Sequence, residues 1–200
     1  MCVCLGRNHI YAGLIYRHMK IENIGAISSF TLPANWQERS GGSGMGVRWE
    51  KLYQPNVAPS VELIISYRGV PLDEASRKVI TFLFKQGVKD RLSEEEILAL
   101  RTVMGVATNG DNQITNKNDP DSLDGPVFSI QELSVRSIVG KMVLWVEGRF
   151  KNGKLYVGMF YQAGSEGKMV EEFYLQSSSL EHFDKYHPSF NEIVETITWK

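Results

Sequence analysis

VLWVEGRFKNGKLYVGMFY, residues 143–161, is the stretch that decides the fold of this chain. Two apolar-rich runs flank Asn152 and Gly153. Asn-Gly between such runs is typical of a two-residue β-hairpin turn, because both residues tolerate a positive φ. The segment therefore predicts two antiparallel strands, 143–150 and 154–161, joined at this turn.

A two-residue turn also predicts which residues face each other. It pairs Phe150 with Leu155, Gly148 with Val157, Val146 with Met159 and Leu144 with Tyr161. This face is apolar throughout, so we expect it to face the core. The opposite face would carry a mixture of aromatic and charged residues: Trp145, Glu147, Arg149, Tyr156 and Phe160. Because aromatic residues and arginine often anchor interfaces, we predict that this second face binds a protein partner.

Composition sets the broad class of the protein. The chain has 200 residues, of which 42% are hydrophobic and 22% are charged, as expected for one globular domain with a buried core. The net charge of -1 provides no field that would gather nucleic acid or an anionic membrane. No stretch approaches the ~20 apolar residues that span a bilayer, so we expect no membrane insertion.

The cysteines and the N-terminal segment bear on compartment and ligands. Cys2 and Cys4 are too close for an easy disulfide, which suits a reducing, cytoplasmic location. No second Cys or His pair stands at metal-site spacing, so we predict no metal and no cofactor. Residues 1–18 contain no acid, and their apolar runs are broken. We expect a weakly ordered N-terminal extension there, followed by a single α+β domain over residues 19–200.

The other strands follow from apolar runs between turn residues. We expect a first strand over Ile27–Trp36, ended by Leu32 and Pro33, then a glycine-rich loop and a strand near residues 47–55. The run 61–69 has apolar residues in succession, which is typical of a central strand covered on both faces. A final strand follows the turn of residues 164–167.

Three helices are indicated by their capping residues. Asp73 caps a helix predicted over 73–86, and Ser93 with Glu96 forms a capping box for a helix over 93–104. Ser178 opens a helix over 179–197 that Pro188 can restart. Residues 105–126 are too polar to bury much, and they extend a helix-loop segment over residues 89–125. Asp119, Asp121 and Asp124 lack the spacing of an EF-hand, so we favour a solvated loop over a calcium site.

Two groups of residues keep an enzymatic interpretation open. Glu147 could be desolvated by nearby aromatic rings, which would raise its pKa and suit acid–base chemistry. His182, Asp184 and His187 cluster near the C terminus, but no G-x-S-x-G motif accompanies them. His182 and His187 are also five positions apart, so they point to different faces of a helix. We expect a polar helix surface rather than a triad.

Both ends of the domain resemble one known family. SSFTLPANW, residues 28–36, and FDKYHPSFNEIVETITW, residues 183–199, resemble the PsbP-like superfamily, and especially its bacterial DcrB-related branch. The matching positions are Leu32, Pro33, Trp36, Phe190, Ile193, Thr196, Ile197 and Trp199. The resemblance covers about residues 27–37 and 140–200, and the segment from residue 89 to 125 departs from it. It implies an antiparallel sheet flanked by helices, and a binding role without catalysis. No set of functional residues carries over.

The leading hypothesis is a non-enzymatic accessory or protein-binding domain, which binds its partner through the sheet face or through the polar loop of residues 105–126. The resemblance extends it to a chaperone-like or immunity-like adaptor of a secretion system. The competing hypothesis is a small hydrolase or ligand-binding enzyme that uses Glu147 or the His182/His187 cluster. A closed pocket with converging polar groups would favour the enzyme, and an open apolar groove would favour the binding domain.

Overall fold

The computed structural model describes residues 18–39, 50–104 and 128–200. Its first half contains β1 (His18–Ile24), β2 (Ile27–Pro33), β3 (Trp36–Arg39), β4 (Glu50–Pro55), β5 (Val61–Pro71), α1 (Glu74–Lys85) and α2 (Glu94–Met104). Its second half contains β6 (Phe128–Ile138), β7 (Lys141–Phe150), β8 (Leu155–Ala163), β9 (Met169–Ser177), α3 (Leu180–Glu195) and β10 (Thr198–Trp199).

The strands form two antiparallel sheets. The large sheet has the order β3-β4-β5-β9-β8-β7-β6, and the small sheet has the order β1-β2-β10. Apolar residues of α3 and β2 pack in one core with alternate residues of the large sheet. Apolar residues of α1 and α2 pack in a second core on the other face of that sheet. The predicted α+β class, an antiparallel sheet flanked by helices, is confirmed.

The central hairpin is antiparallel, but its predicted register is wrong by one residue. Arg149 lies opposite Leu155, and Gly148 lies opposite Tyr156. The turn has three residues rather than two: the Phe150 N–H donates to the Lys154 carbonyl oxygen at 2.8 Å, and Gly153 adopts a φ of +86°. A type I turn followed by a left-handed glycine is the usual three-residue hairpin. Because side chains alternate, this slip moves every residue of β8 to the face opposite the one predicted.

The three helices lie where their caps predicted them. The Asp73 carboxylate accepts from the Ser76 N–H at 2.7 Å, and Ser93 and Glu96 exchange both bonds of a capping box. The start of α3 differs by one position, because Ser179, not Ser178, accepts from the His182 N–H. Pro188 does not restart the helix but lies inside it. Pro188 lacks the N–H that would donate to the Asp184 carbonyl, and both residues are exposed.

The N-terminal part contains a strand that the sequence did not reveal. β1 precedes the predicted first strand, and Trp36 begins β3 instead of ending β2. β5 lies between β4 and β9, which confirms its predicted central position. The predictions for residues 1–17, for the glycine-rich loop at 40–49 and for the polar loop at 105–126 with its aspartates lie outside the described residues.

Candidate functional site

The five residues predicted to form one binding face lie on two different faces. Trp145 and Glu147 lie on the face of the large sheet that packs against α3, because Trp145 belongs to the α3 core and pairs with Met159. Tyr156 and Phe160 pack in the core of α1 and α2. Arg149 is exposed near the hairpin turn, where its Nε donates to the Gly153 carbonyl oxygen at 3.4 Å. The prediction that these five residues share one surface is therefore wrong.

Trp145 is a core residue that also organises polar groups. It is 1% exposed, and its ring lies 5.6 Å from that of Phe190 on α3. The indole Nε1 donates to Glu147 Oε1 at 2.9 Å, and the Arg136 guanidinium lies 4.1 Å from the ring centroid. A cation above an indole ring is attracted by the negative face of the π system. Trp145 thus holds one carboxylate and one cation at the rim of the core.

Glu147 contacts His187, which sequence reasoning had grouped with His182. His187 Nε2 donates to Glu147 Oε1 at 3.3 Å, and the His187 ring lies 5.5 Å from that of Phe183. About a quarter of each side chain remains exposed, 27% for His187 and 23% for Glu147. The contact joins the third turn of α3 to the middle of β7. It brings together two titratable groups that are 40 positions apart in the chain.

The pair shifts both pKa values toward the charged forms. Burial alone would raise the pKa of the Glu147 carboxyl, but hydrogen bonds from His187 and Trp145 and nearby positive charges outweigh it and lower that pKa. The hydrogen bond to Glu147 raises the pKa of the His187 imidazole above its ordinary value, against the effect of burial. The prediction that desolvation would raise the pKa of Glu147 is therefore wrong, because it left out the partner on α3.

Neighbouring groups on β6 extend this cluster. Arg136 pairs with Glu132, and its Nε donates to Ser134 Oγ at 3.2 Å. The Ser134 hydroxyl donates in turn to Glu132 Oε1 at 3.0 Å. We call Glu132, Ser134, Arg136, Trp145, Glu147 and His187 the β6–β7 cluster. Its partners satisfy one another, so its evident effect is to tie α3 and the edge of the sheet together.

His182 belongs to a separate contact. Its Nδ1 lies 2.7 Å from the Ser60 hydroxyl, at the start of β5. Asp184 is exposed on α3. The predicted divergence of His182 and His187 is confirmed, and the structure does not bring the two imidazoles to one site. A Ser-His contact alone lacks the third group that orients the base in a triad.

Tyr156 and Phe160, on the other face, belong to a packed aromatic group. The Tyr156 ring lies 5.2 Å from that of Tyr174 and 5.5 Å from that of Phe128. Its hydroxyl donates to Glu172 Oε1 at 2.8 Å. Gly158 lies on this face as well, and an added Cβ there would lie 2.5 Å from the Tyr156 hydroxyl oxygen.

A further surface, which sequence reasoning missed, lies on the same face as α1 and α2. Within the described chain, the core of these helices includes residues of β6 to β9 and none of β3, β4 or β5. The pairings of the large sheet align the residues of this uncovered part in rows. We call the surface the β4–β5 half-face and define it by seven residues: Gln37, Leu52, Gln54, Glu62, Ile64, Tyr174 and Gln176. Tyr174 lies at its border, because it also packs against the core of α1 and α2.

The β4–β5 half-face has one apolar row beside one polar row. Leu52, Ile64 and Tyr174 are neighbours across three strands. Beside them, the Gln176 amide donates to Glu62 Oε2 at 2.7 Å, and the Lys154 ammonium lies 3.4 Å from the same oxygen. Six of the seven residues are half-buried, and Ile64 at the centre of the apolar row is 6% exposed. The alternation of apolar and polar residues in β4 and β9 was the available signal, but it does not say which half of the sheet the helices leave uncovered.

Other kinds of site find little support in the described residues. No group of three or more His, Cys, Asp or Glu residues in the described ranges could hold a metal ion. No helix among them is both long and apolar enough to cross a membrane. A cavity of about 10 Å³ lies between α1, α2 and the sheet, lined in part by Leu83, Leu100 and Phe160. That volume is close to the minimum for one water molecule and far below that of a substrate pocket.

Comparison with known proteins places the fold. No protein-family model matches the sequence, and no curated protein matches it. The structure is similar to the solution structure of cyanobacterial PsbP (CyanoP) from Synechocystis sp. PCC 6803, with a TM-score of 0.50. The match covers 94% of this chain and 96% of the PsbP chain at 10% sequence identity. At this identity the likeness shows the fold alone, and the predicted PsbP-like fold is confirmed.

Proposed function

We propose that this chain is a non-enzymatic accessory domain that binds another protein through the β4–β5 half-face. The proposal rests on one observation: on this face of the large sheet, the described helices cover one half and leave the other half uncovered. α1 and α2 pack on β6 to β9, and within the described chain their core includes neither Leu52 nor Ile64. An apolar centre bordered by hydrogen-bonding groups is the usual composition of a protein interface.

The neighbouring polar row supplies the directional contacts. Glu62 already orders Gln176 and Lys154, so a partner would meet side chains whose geometry is partly fixed. Preorganised side chains lose less conformational entropy on binding. Gln37 and Gln54 lie opposite each other in the same row and offer amide donors and acceptors. The partner would thus present an apolar side chain to half-buried Leu52 and hydrogen-bonding groups to the amides.

A finer assignment rests on the sequence resemblance at the two ends of the domain. It makes the chain a bacterial-type, DcrB-related protein of the cytoplasm that acts as a chaperone-like or immunity-like adaptor of a secretion system. What supports this extension is the pattern of Leu32, Pro33 and Trp36 together with Phe190 and Trp199. In that setting the β4–β5 half-face would hold the client or partner protein.

Affinity purification with paired variants tests the binding proposal. Leu52→Asp places a charge in the apolar row, and Gln176→Arg adds bulk and charge to the polar row. Both should lose a partner that the wild-type chain retains. Lys78→Glu is the matched control, because this residue of α1 has a side chain that is 74% exposed and lies away from the half-face. Retention of every partner by both half-face variants would refute the proposal.

One contact supports the competing function, a small hydrolase or ligand-binding enzyme. Glu147 and His187 are hydrogen-bonded and partly exposed, as an acid–base pair would be. Glu147→Gln and His187→Ala should then abolish turnover in a screen of hydrolase substrates while partner binding persists. The accessory function predicts the reverse pattern: no turnover by the wild-type chain, and loss of binding only in the half-face variants.

A further inference from the structure

The small sheet has an edge that differs from the edges of the large sheet. At one edge of the large sheet, Lys89 forms a bridge to Val135 of β6, with hydrogen bonds of 2.9 and 2.8 Å. At the other edge, β3 has only four residues. β1 has seven residues and, within the described chain, pairs only with β2. An unpaired strand edge is a template for a further strand, and proteins usually shorten or cover such edges.

The side chains of β1 separate into two faces. Met19 and Ile21 are half-buried and pack against the core that contains α3. Lys20 and Glu22 point to the outer face, where they form an ion pair of 2.5 Å with side chains 62% and 55% exposed. Lys20 and Glu22 lie two positions apart on the same face. When β1 of a second copy pairs with β1 in the antiparallel direction, Lys20 of one copy can therefore lie opposite Glu22 of the other.

We propose that β1 pairs with β1 of a second copy of this chain in an antiparallel, two-fold symmetric arrangement centred on Ile21. In this register Lys20 of each copy lies opposite Glu22 of the other, which gives two attractive cross-strand pairs. The neighbouring registers that preserve the two faces would be centred on Lys20 or on Glu22. Each of them sets like charges directly opposite each other, which destabilises strand pairing.

The same register brings the two Ile21 side chains together. Both are half-buried in the single chain, so pairing removes further apolar surface from water. Asn23 has a φ of 60° and ends the regular part of the strand, so the paired segment is short. The association is therefore weak and depends on protein concentration. Because two ion pairs select the register, it also weakens as salt screens them.

Sedimentation velocity of the full chain over a concentration series tests the proposal. The wild-type chain should show a monomer–dimer equilibrium. Lys20→Glu and Glu22→Lys each convert two attractive cross-strand pairs into two repulsive ones, so either change should weaken association by about tenfold. The double variant exchanges the charges and should restore association. Far-UV circular dichroism shows whether each variant keeps the fold, since both side chains are exposed.

A mixing experiment gives the sharpest outcome. In an equimolar mixture of the two single variants, positions 20 and 22 are both acidic in one chain and both basic in the other. A heterodimer should therefore form although neither variant associates well alone. Lys78→Glu breaks an exposed pair with Glu74 on α1 and serves as the matched control, with association unchanged. A chain that stays monomeric at every concentration would overturn the proposal. So would single variants that associate as tightly as the wild type, or a mixture that does not associate.

Discussion

The two faces of the large sheet are covered to different extents. On one face, a single core runs from Tyr53 on β4 to Val143 on β7, under α3 and the small sheet. On the other face, the core of α1 and α2 includes residues of β6 to β9 and, within the described chain, no residue of β4 or β5. This difference in helix cover is the reason that we propose the half-face, and not the covered face, as the recognition surface.

The fully covered face should carry most of the stability. Phe190 is 0% exposed and lies 5.6 Å from Trp145 and 5.7 Å from Phe173, ring to ring. Phe190→Ala should lower the free energy of unfolding by about 3–5 kcal/mol, through lost burial and the cavity left behind. Denaturant unfolding measures this change. Leu52→Ala on the half-face is the control and should cost less than about 1 kcal/mol. Equal losses of unfolding free energy in the two variants would show that the two faces do not differ in their contribution to stability.

The second prediction concerns the boundary between the covered half and the β4–β5 half-face. In Gly158→Ala, the new Cβ would lie 2.5 Å from both the Tyr156 hydroxyl oxygen and the Tyr174 Cβ. The crowding should lower stability by about 1–3 kcal/mol. At this chain length the thermal midpoint should fall by roughly 2–4 °C for each kcal/mol.

A double-mutant cycle identifies the cause of that loss. Tyr156→Phe removes the hydroxyl oxygen that the new Cβ would meet. Gly158→Ala should therefore cost less in the Tyr156→Phe background than in the wild type, since contacting residues give non-additive changes. Identical costs in both backgrounds would show that the Tyr156 hydroxyl is not the constraint at Gly158.

The cluster on the covered face predicts a pH dependence. The pKa of His187 is raised above 6.5, so its contribution is complete below pH 6.5 and is lost as pH rises through the raised value. The pKa of Glu147 is lowered below 4.5, so its contribution is complete above pH 4.5 and is lost as pH falls through the lowered value. The pair should therefore stabilise α3 most fully between pH 4.5 and 6.5.

Glu147→Gln measures the size of that contribution. Glutamine keeps an oxygen that can accept from Trp145 but removes the charge that His187 requires. We expect a loss of about 1 kcal/mol inside the pH window and a smaller loss at higher pH. His182→Ala is the control, because His182 contacts Ser60 and not Glu147. A loss for Glu147→Gln that stays constant from pH 5 to pH 9 would contradict the ion pair.

Local signals predicted much of this architecture, because they act over a few residues. The cap of Asp73 and the capping box of Ser93 and Glu96 fix helix starts through bonds within one turn. The hairpin direction likewise follows from a short turn. Its register did not, since Asn-Gly suits both a two-residue turn and the three-residue turn that Gly153 completes.

The candidate site depends on contacts that the sequence does not encode locally. The register differs by one residue from the predicted one, which places Trp145 and Tyr156 on opposite faces of the sheet. The amino-acid composition of the two strands does not distinguish these registers. His187 meets Glu147 only because α3 continues through Pro188 and packs on β7. The β4–β5 half-face exists because α1 and α2 pack on β6 to β9. The position of these helices depends on packing across the whole sheet.

The smallest effect on stability is expected for a change in the polar row of the half-face. Gln176→Ala removes one hydrogen bond to Glu62 on the half-face, while Lys154 remains within reach of the same carboxylate oxygen. Because the site is partly exposed, the free energy of unfolding should change by no more than about 0.5 kcal/mol. Partner binding should nevertheless weaken if the half-face is the recognition surface. A large loss of stability in denaturant unfolding would show instead that Gln176 is held under cover in the folded chain, and the recognition surface would then have to lie elsewhere.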